Sequence, residues 1–526
     1  MSENRTWIAD LGNGRYRNPI LYTDYSDPDA IRVGDDYFMI ASSFCNSPAI
    51  PLLHSKDMVN WKVVNYVCEH VPEPRYVDPI HGCGVWAPAI RYHEGEYYVF
   101  FPMPDEGIYM TKTKDPYGKW SEPVNVRPGA GWIDPCPFWD EDGKVYLVAG
   151  VARSRIGYKS VLHMVEMNKE ATKVIGEEVK IFDGNLNDQV TIEGPKMYKR
   201  NGYYYIFAPA GGVKTGWQTV LRSKNVYGPY EYKVVMRQGD TPINGPHQGA
   251  WVDTQTGEDW FLHFQDVYAA GRIIHLQPMS WVNDWPVIGI SKDGNEYGEP
   301  VLEYKKPDVG AVYDIEAPEA SDDFTQDTLG LQWQWNANVD YAWYKMHPEK
   351  SSIELMAVAK EPERSISDVR NLLLQKWCLP EFKAYTKLDV SGMGVGNIAG
   401  MVSMGMRYGA VCVKKTDKGM KIVTISGEQE FVNEKANAKD IVTEIEDFDG
   451  SEIYFMNTVE RIPSVEENVP LEEIGLWYSL DGANYKKALS FNALAGRWVG
   501  VKNGIFCCNE GDGTEGSVMA DYFNIQ

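Results

Sequence analysis

Three acidic residues stand in matching sequence settings: Asp27 before Pro28, Asp134 before Pro135, and Glu193 before Gly194 and Pro195. Each leads into a hydrophobic strand pattern, a glycine-containing turn and an aromatic strand. The spacing from carboxylate to turn glycine is 7, 9 and 9 residues (27 to 34, 134 to 143, 193 to 202), which predicts similar depths in their units. Glu193 heads a segment so aromatic (Tyr203, Tyr204, Tyr205, Phe207) that it must be largely buried. A charge held there is costly unless it is paired, hydrogen-bonded or neutralised. Three carboxylates brought together do not all ionise normally: like charge and desolvation leave at least one protonated near neutrality. A proton-bearing acid facing an ionised base is the equipment for hydrolysing a glycosidic bond. The longer Glu193 suits protonation of a leaving-group oxygen, and a shorter Asp suits holding a water or tuning a neighbour by its charge. Asp-Pro and Glu-Gly-Pro turns at the start of a strand explain any one copy structurally. Three in phase favour chemistry.

The elements that must position them form a repeat. Five copies occur in the first 270 residues: SDPDAIRVGDDYFMIAS, WAPAIRYHEGEYYVFFP, IDPCPFWDEDGKVYLVAG, EGPKMYKRNGYYYIFAP and HQGAWVDTQTGEDWFLHF. Their turn glycines, Gly34, Gly95, Gly143, Gly202 and Gly257, are 61, 48, 59 and 55 residues apart, about the length of a four-stranded propeller blade. Each hairpin carries the Gly, Asp or Asn that tight turns require, and no long helical period is present. The pattern predicts an all-β chain that begins as a five-bladed β-propeller. In a propeller the innermost strands start near the axis, so the head residues of different blades converge on one pocket. The repeat then stops. Pro300, Pro307 and Pro318 with the acidic EAPEASDD mark a domain edge. Alternating strands beyond it predict a β-sandwich of concanavalin-like or jelly-roll type. The expected domains are a catalytic propeller over 1–310 and an accessory sandwich over 320–526.

Composition narrows the partner. The 526 residues are too many for one core. A formal charge of −23 argues against nucleic acid, anionic membranes and polyanionic substrates. Aromatics at 13%, including 32 Tyr and 17 Trp, suit β structure and sugar-stacking surfaces. A small neutral oligosaccharide fits best, and a homo-oligomer is compatible with everything above. The N-terminal MSENRTWIADLGNGRYRNPI has neither a basic nor an apolar signal region. Eight scattered Cys without paired CxxC spacing fit reduced thiols. A cytoplasmic location is the expectation, unless a signal peptide has been removed.

The segments NPILYTDYSDPDAIRVGDDYFMIASS, LLHSKDMVNWKVV, WAPAI, IDPCPFWDEDGKVYLV and EGPKMYKRNGYYYIFAPAGG, in this order, resemble glycoside hydrolase family 43. The resemblance covers residues 18 to about 300, and DDFTQDTLGLQWQWN to SVMADYFNIQ looks like the β-sandwich that many members carry. It implies an inverting β-xylosidase or α-L-arabinofuranosidase of the sandwich-bearing branch, exo-acting on terminal pentoses and needing no cofactor. It places the general base on Asp27, a tuning and orienting Asp on Asp134, and the general acid on Glu193. Asp29 is a rival base that breaks the shared register. Trp86, Phe44 and Trp217 are candidate pocket walls, and Arg272 resembles an arginine that hydrogen-bonds the terminal sugar. His247 heads blade five; in many relatives the matching histidine lies beside a Ca2+ or a water, making His247 the candidate metal ligand near the axis. A sandwich residue over the pocket is expected in some relatives, with Trp498 a candidate here. Two other classes compete: a non-catalytic carbohydrate-binding propeller, and a retaining five-bladed enzyme of levansucrase type acting on fructosides. The presence of all three carboxylates weighs against the first. The EGP and WAPAI contexts weigh against the second.

Overall fold

Each of the five repeats becomes one four-stranded antiparallel sheet, built from a single continuous stretch of chain. The computed structural model describes residues 6–526 apart from 293, 362, 433–434, 464–470, 512 and 514. The innermost strands of blades one to five are Asp29–Val33, Ala89–His93, Trp132–Trp139, Lys196–Arg200 and His247–Asp253. Tight glycine turns join each to the aromatic second strand, as at Gly34, Gly95 and Gly202, all with positive φ.

The second strands are apolar on both faces because each blade is covered by two neighbours. Phe38, Ile40 and Leu52 of blade one pack with Ile90, Val99 and Phe101 of blade two. Equivalent clusters join blades two to three, three to four and four to five. The ring closes where Ala250, Trp260 and Leu262 of blade five meet Tyr37, Met39, Leu53 and Trp61 of blade one. The segment around Tyr16 and Ile20 fills this seam, and Arg15–Arg17 pairs with Glu303–Lys305 across it. Closure by packing fixes the axial ends of all five inner strands relative to one another.

The sandwich follows as an eight-stranded and a seven-stranded sheet. Its core includes Trp335, Leu373, Val411, Ile453, Phe455 and Phe523, and it runs without a break into Val267, Ala270 and Ile273 of the propeller. The two layers therefore share apolar surface as well as polar ties, such as the paired backbone bonds between Ser47 and Trp335. The only α-helix among the described residues is the single turn Arg153–Ile156. No helix among them is long and apolar enough to cross a membrane.

Candidate active site

The left-handed backbone marks where the inner strands begin. Asp27 (φ 56) adopts it two residues before Asp29, and Asp134 (φ 55) and Gln248 (φ 34) adopt it at register shifts within the first residues of their strands. Aspartate tolerates this region better than most side chains, and such strain clusters at functional sites. In blade four the equivalent position is Gly194 (φ 59) and not Glu193. The sequence expectation of one shared depth is corrected here: Glu193 lies one residue earlier, in the place that His247 occupies in blade five. Counting to the turn glycine hid this because the hairpins differ in length. The physical reason is steric, since a Cβ at Gly194 would lie 2.7 Å from the Gln248 side chain. The left-handed position must be glycine, and the carboxylate moves to its neighbour.

The three carboxylates nevertheless line one cavity of ≈ 590 Å³ on the propeller axis. Asp27 is held on both oxygens: Ser42 Oγ donates to Oδ2 at 2.7 Å and Arg272 Nη1 to Oδ1 at 2.7 Å. Arg272 Nη1 also donates to Ser26 Oγ, and its guanidinium lies 4.7 Å over the ring of Phe264. Glu193 faces His247, with Oε1 2.8 Å from Nε2. Its side chain keeps 27% of its surface exposed, whereas Asp134 is 2% exposed. Asp134 Oδ2 accepts from the Gly194 amide at 2.8 Å and from Gln248 Nε2 at 3.4 Å.

Burial, reinforced by the neighbouring charges of Glu193 and Asp27, pushes the Asp134 carboxyl up to about 8. The Lys196 ammonium and the Gly194 amide act in the opposite sense but do not overcome it. Asp134 thus carries a proton at neutrality. The cluster contains one acid held protonated by its surroundings, beside a partly exposed Glu193 and a cation-bound Asp27.

Phe44 and Trp86 line the cavity as expected, their rings 6.4 Å apart. Trp498 continues the row, with its ring 6.4 Å from Trp86, so the sandwich domain does supply a wall. Trp217 does not reach the cavity. Its Nε1 donates to Gln189 and Arg237 lies 4.9 Å over its ring, so its role is packing behind the wall. Asp29 is also excluded as a base: its Oδ2 accepts from Arg91 at 2.7 Å and the Ile90 amide at 2.9 Å, pinning blade two to blade one.

His247 is buried against Phe264, and among the described residues its ring hydrogen-bonds Glu193. Calcium prefers six to eight oxygen ligands. Among the described residues no group of three or more His, Cys, Asp or Glu side chains is placed to hold a metal ion. The imidazole of His247 and the carboxylate of Glu193 offer fewer oxygen donors than calcium takes.

Sequence reasoning missed Ser42, Gln248, Lys196, Arg153 and Lys159. Gln248 had a signal, since it precedes Gly249 as Asp27 and Asp134 precede their prolines. Lys196 stood in the quoted EGPK segment. Ser42 closes the first repeat copy, and Arg153 and Lys159 lie in and just after the helical turn that follows blade three's second strand; none of the three carried a signal of its own.

With this geometry in place, comparison with known proteins is informative. Residues 16–286 match the family described as Glycosyl hydrolases family 43. Residues 321–526 match the domain described as Beta xylosidase C-terminal Concanavalin A-like domain. A putative beta-xylosidase of Xylanibacter ruminicola is 38% identical over 505 residues, covering 95% of this chain and 88% of that protein. A non-reducing end alpha-L-arabinofuranosidase of Bacteroides ovatus is 32% identical over 381 residues, 67% of each chain. The crystal structure of a GH43 protein, BlXynB, from Bacillus licheniformis superposes with a TM-score of 0.79 at 28% identity, covering 97% of this chain and 99% of that one.

Proposed function

The chain belongs to glycosyl hydrolase family 43 and carries a β-xylosidase-type C-terminal domain, and on this premise we propose that it is an exo-acting, inverting glycosidase. Its substrates are short hemicellulose-derived oligosaccharides, from which it removes single terminal pentoses. The observation that carries this reading is the convergence of Asp27, Asp134 and Glu193 on one cavity, where burial and the neighbouring carboxylates push the Asp134 carboxyl up.

In the proposed reaction Glu193 is the general acid. The proton held in the cluster passes to it as a sugar displaces water from its exposed edge. Glu193 gives that proton to the leaving-group oxygen while the glycosidic C–O bond breaks, its electron pair going to that oxygen. A water on the opposite face of the sugar attacks the anomeric carbon and loses a proton to Asp27. Arg272 and Ser42 hold Asp27 in place for this transfer. Asp27 then gives up the proton taken from water and Asp134 regains one, directly or through solvent, which restores the starting state.

Terminal action follows from the walls. Trp86 and Trp498 stand at one side of the cavity, and the sandwich loop that brings Trp498 narrows the open propeller face. A pocket so narrowed admits a chain end and excludes a chain interior. β-D-Xylose is the preferred terminal sugar, and α-L-arabinofuranose is the second reading because the Bacteroides ovatus relative is named for it. A few pocket contacts of about 1–3 kcal/mol each decide between the two isomers. The propeller, residues 1–310, is the proposed catalytic domain and 320–526 the accessory one. Eight buried cysteines, none in a disulfide among the described residues, support a reducing, cytoplasmic setting.

The test is a panel of nitrophenyl pentosides beside xylan polymer and xylo- and arabinoxylo-oligosaccharides, with products separated by chromatography. Release of single pentoses from oligosaccharides is expected. Rapid formation of an oligomer ladder from polymer would refute the closed pocket.

A further inference from the structure

The wall of the cavity nearest Glu193 carries two cations that the reaction above does not use. Arg153 and Lys159 both line it. Arg153 opens, and Lys159 follows, the single helical turn after the second strand of blade three, Val145–Val151. Lys159 is set in place by its bond to Thr191 Oγ1 at 2.8 Å, and Thr191 lies two residues before Glu193. Neither side chain makes an ion pair among the described residues. The third cation of the cavity, Arg272, is committed to Asp27.

Position gives these charges a meaning. The terminal sugar must sit over the buried floor formed by Asp134, Gln248 and His247. The atoms beyond the scissile oxygen must then pass Glu193, which protonates that oxygen, on their way to the mouth. Lys159, bonded to Thr191 two residues before Glu193, and Arg153 line the same cavity and are the cations there for those atoms to meet. An ammonium and a guanidinium without protein counter-ions bind a carboxylate far better than a hydroxyl, because charge-assisted hydrogen bonds are roughly twice as strong as neutral ones. A chain of net charge −23 repels anions at long range, so local cations are what a singly acidic substrate would require.

Resting on the pentosidase reading above, we infer that the leaving-group side of this pocket accepts an oligosaccharide bearing a uronic acid, whose carboxylate pairs with Lys159 and Arg153. The enzyme would then trim acidic fragments at which a pocket without cations would stall.

The experiment compares kcat/KM for xylotriose and for xylotriose carrying one glucuronic acid on its middle residue, in the parent chain and in Arg153→Ala, Lys159→Gln and the double variant. The same acidic sugar is titrated calorimetrically into each protein, so that binding is read without turnover. In the parent the acidic sugar is expected to be cleaved at least as well as the neutral one. The double variant should lower the acidic-to-neutral ratio about tenfold and weaken acidic binding alike, with neutral turnover within about twofold. Added salt, about 0.5 M, should reduce the ratio in the parent only. Equal ratios and equal binding in parent and double variant would overturn the inference. Failure to cleave either sugar while acidic binding still depends on Lys159 and Arg153 would instead overturn the pentosidase reading and leave the carboxylate site standing.

Discussion

Arg272 reaches Asp27 with Nη1 on Oδ1 at 2.7 Å, so the arginine expected on the sugar is also the partner of the proposed base. Its backbone amide is fixed in turn by Asp24 Oδ1 at 2.9 Å. Arg272→Ala should therefore lower kcat as well as raise KM, with kcat/KM falling about a hundredfold or more, the scale of losing a base. Arg272→Lys should recover part of the loss, because an ammonium keeps the charge but not the planar reach. Steady-state kinetics on a nitrophenyl pentoside checks both. A change confined to KM would restrict Arg272 to binding.

Asp134 gives a stability signature with a defined sign. Its folded-state value of about 8 lies above the ordinary 3.8. The folded state is therefore favoured at low pH, and this contribution is lost as pH rises from about 4 to about 8. Asp134→Asn cannot ionise and keeps an acceptor for the Gly194 amide. Its Tm should rise relative to the parent between about pH 5 and about pH 9, while turnover falls because the cluster no longer holds its proton. Differential scanning fluorimetry across pH is sufficient, and a Tm difference independent of pH would show that Asp134 is ionised throughout.

The sandwich is tied to the chemistry through Asp24. Its Oδ2 accepts from the Gly500 amide at 2.8 Å, and its carbonyl oxygen accepts from Lys376 Nζ at 2.6 Å. Gly500 follows Trp498 in the same loop. Trp498→Ala should raise KM for oligosaccharides about fivefold or more, of order 1 kcal/mol of lost aromatic contact. Asp24→Asn leaves one of the two amides facing an NH2 group, and its effect should appear in kcat through Arg272. Equal kinetics for these variants and the parent would make the sandwich a passive neighbour.

Chelation is expected to change nothing. Dialysis against EGTA should leave both activity and Tm as they were, because the donors around His247 do not form an oxygen cage. Loss of activity restored by calcium would require ligands beyond those described.

The propeller and the three carboxylates were legible because the repeat is periodic, and periodicity converts position in the chain into position around an axis. What it could not convey was the offset of Glu193. That offset depends on the left-handed Gly194 and its contact with Gln248, a clash between side chains from two blades. Lys159 and Trp498 were illegible or barely legible because a connecting segment and a second domain bring them in, and Ser42 because nothing in its repeat copy marks the bond to Asp27. Trp217 misled because an aromatic residue at a strand start looks the same whether it faces a cavity or packs behind one.

In the proposed reaction a water activated by Asp27 attacks directly, opposite a leaving group protonated by Glu193. Proton NMR of the sugar first released from a β-D-xyloside, recorded before mutarotation, reads this directly. The α-anomer is predicted as the initial product. Initial release of the β-anomer would mean a covalent intermediate and a retaining enzyme, and would contradict the roles given to Asp27 and Glu193.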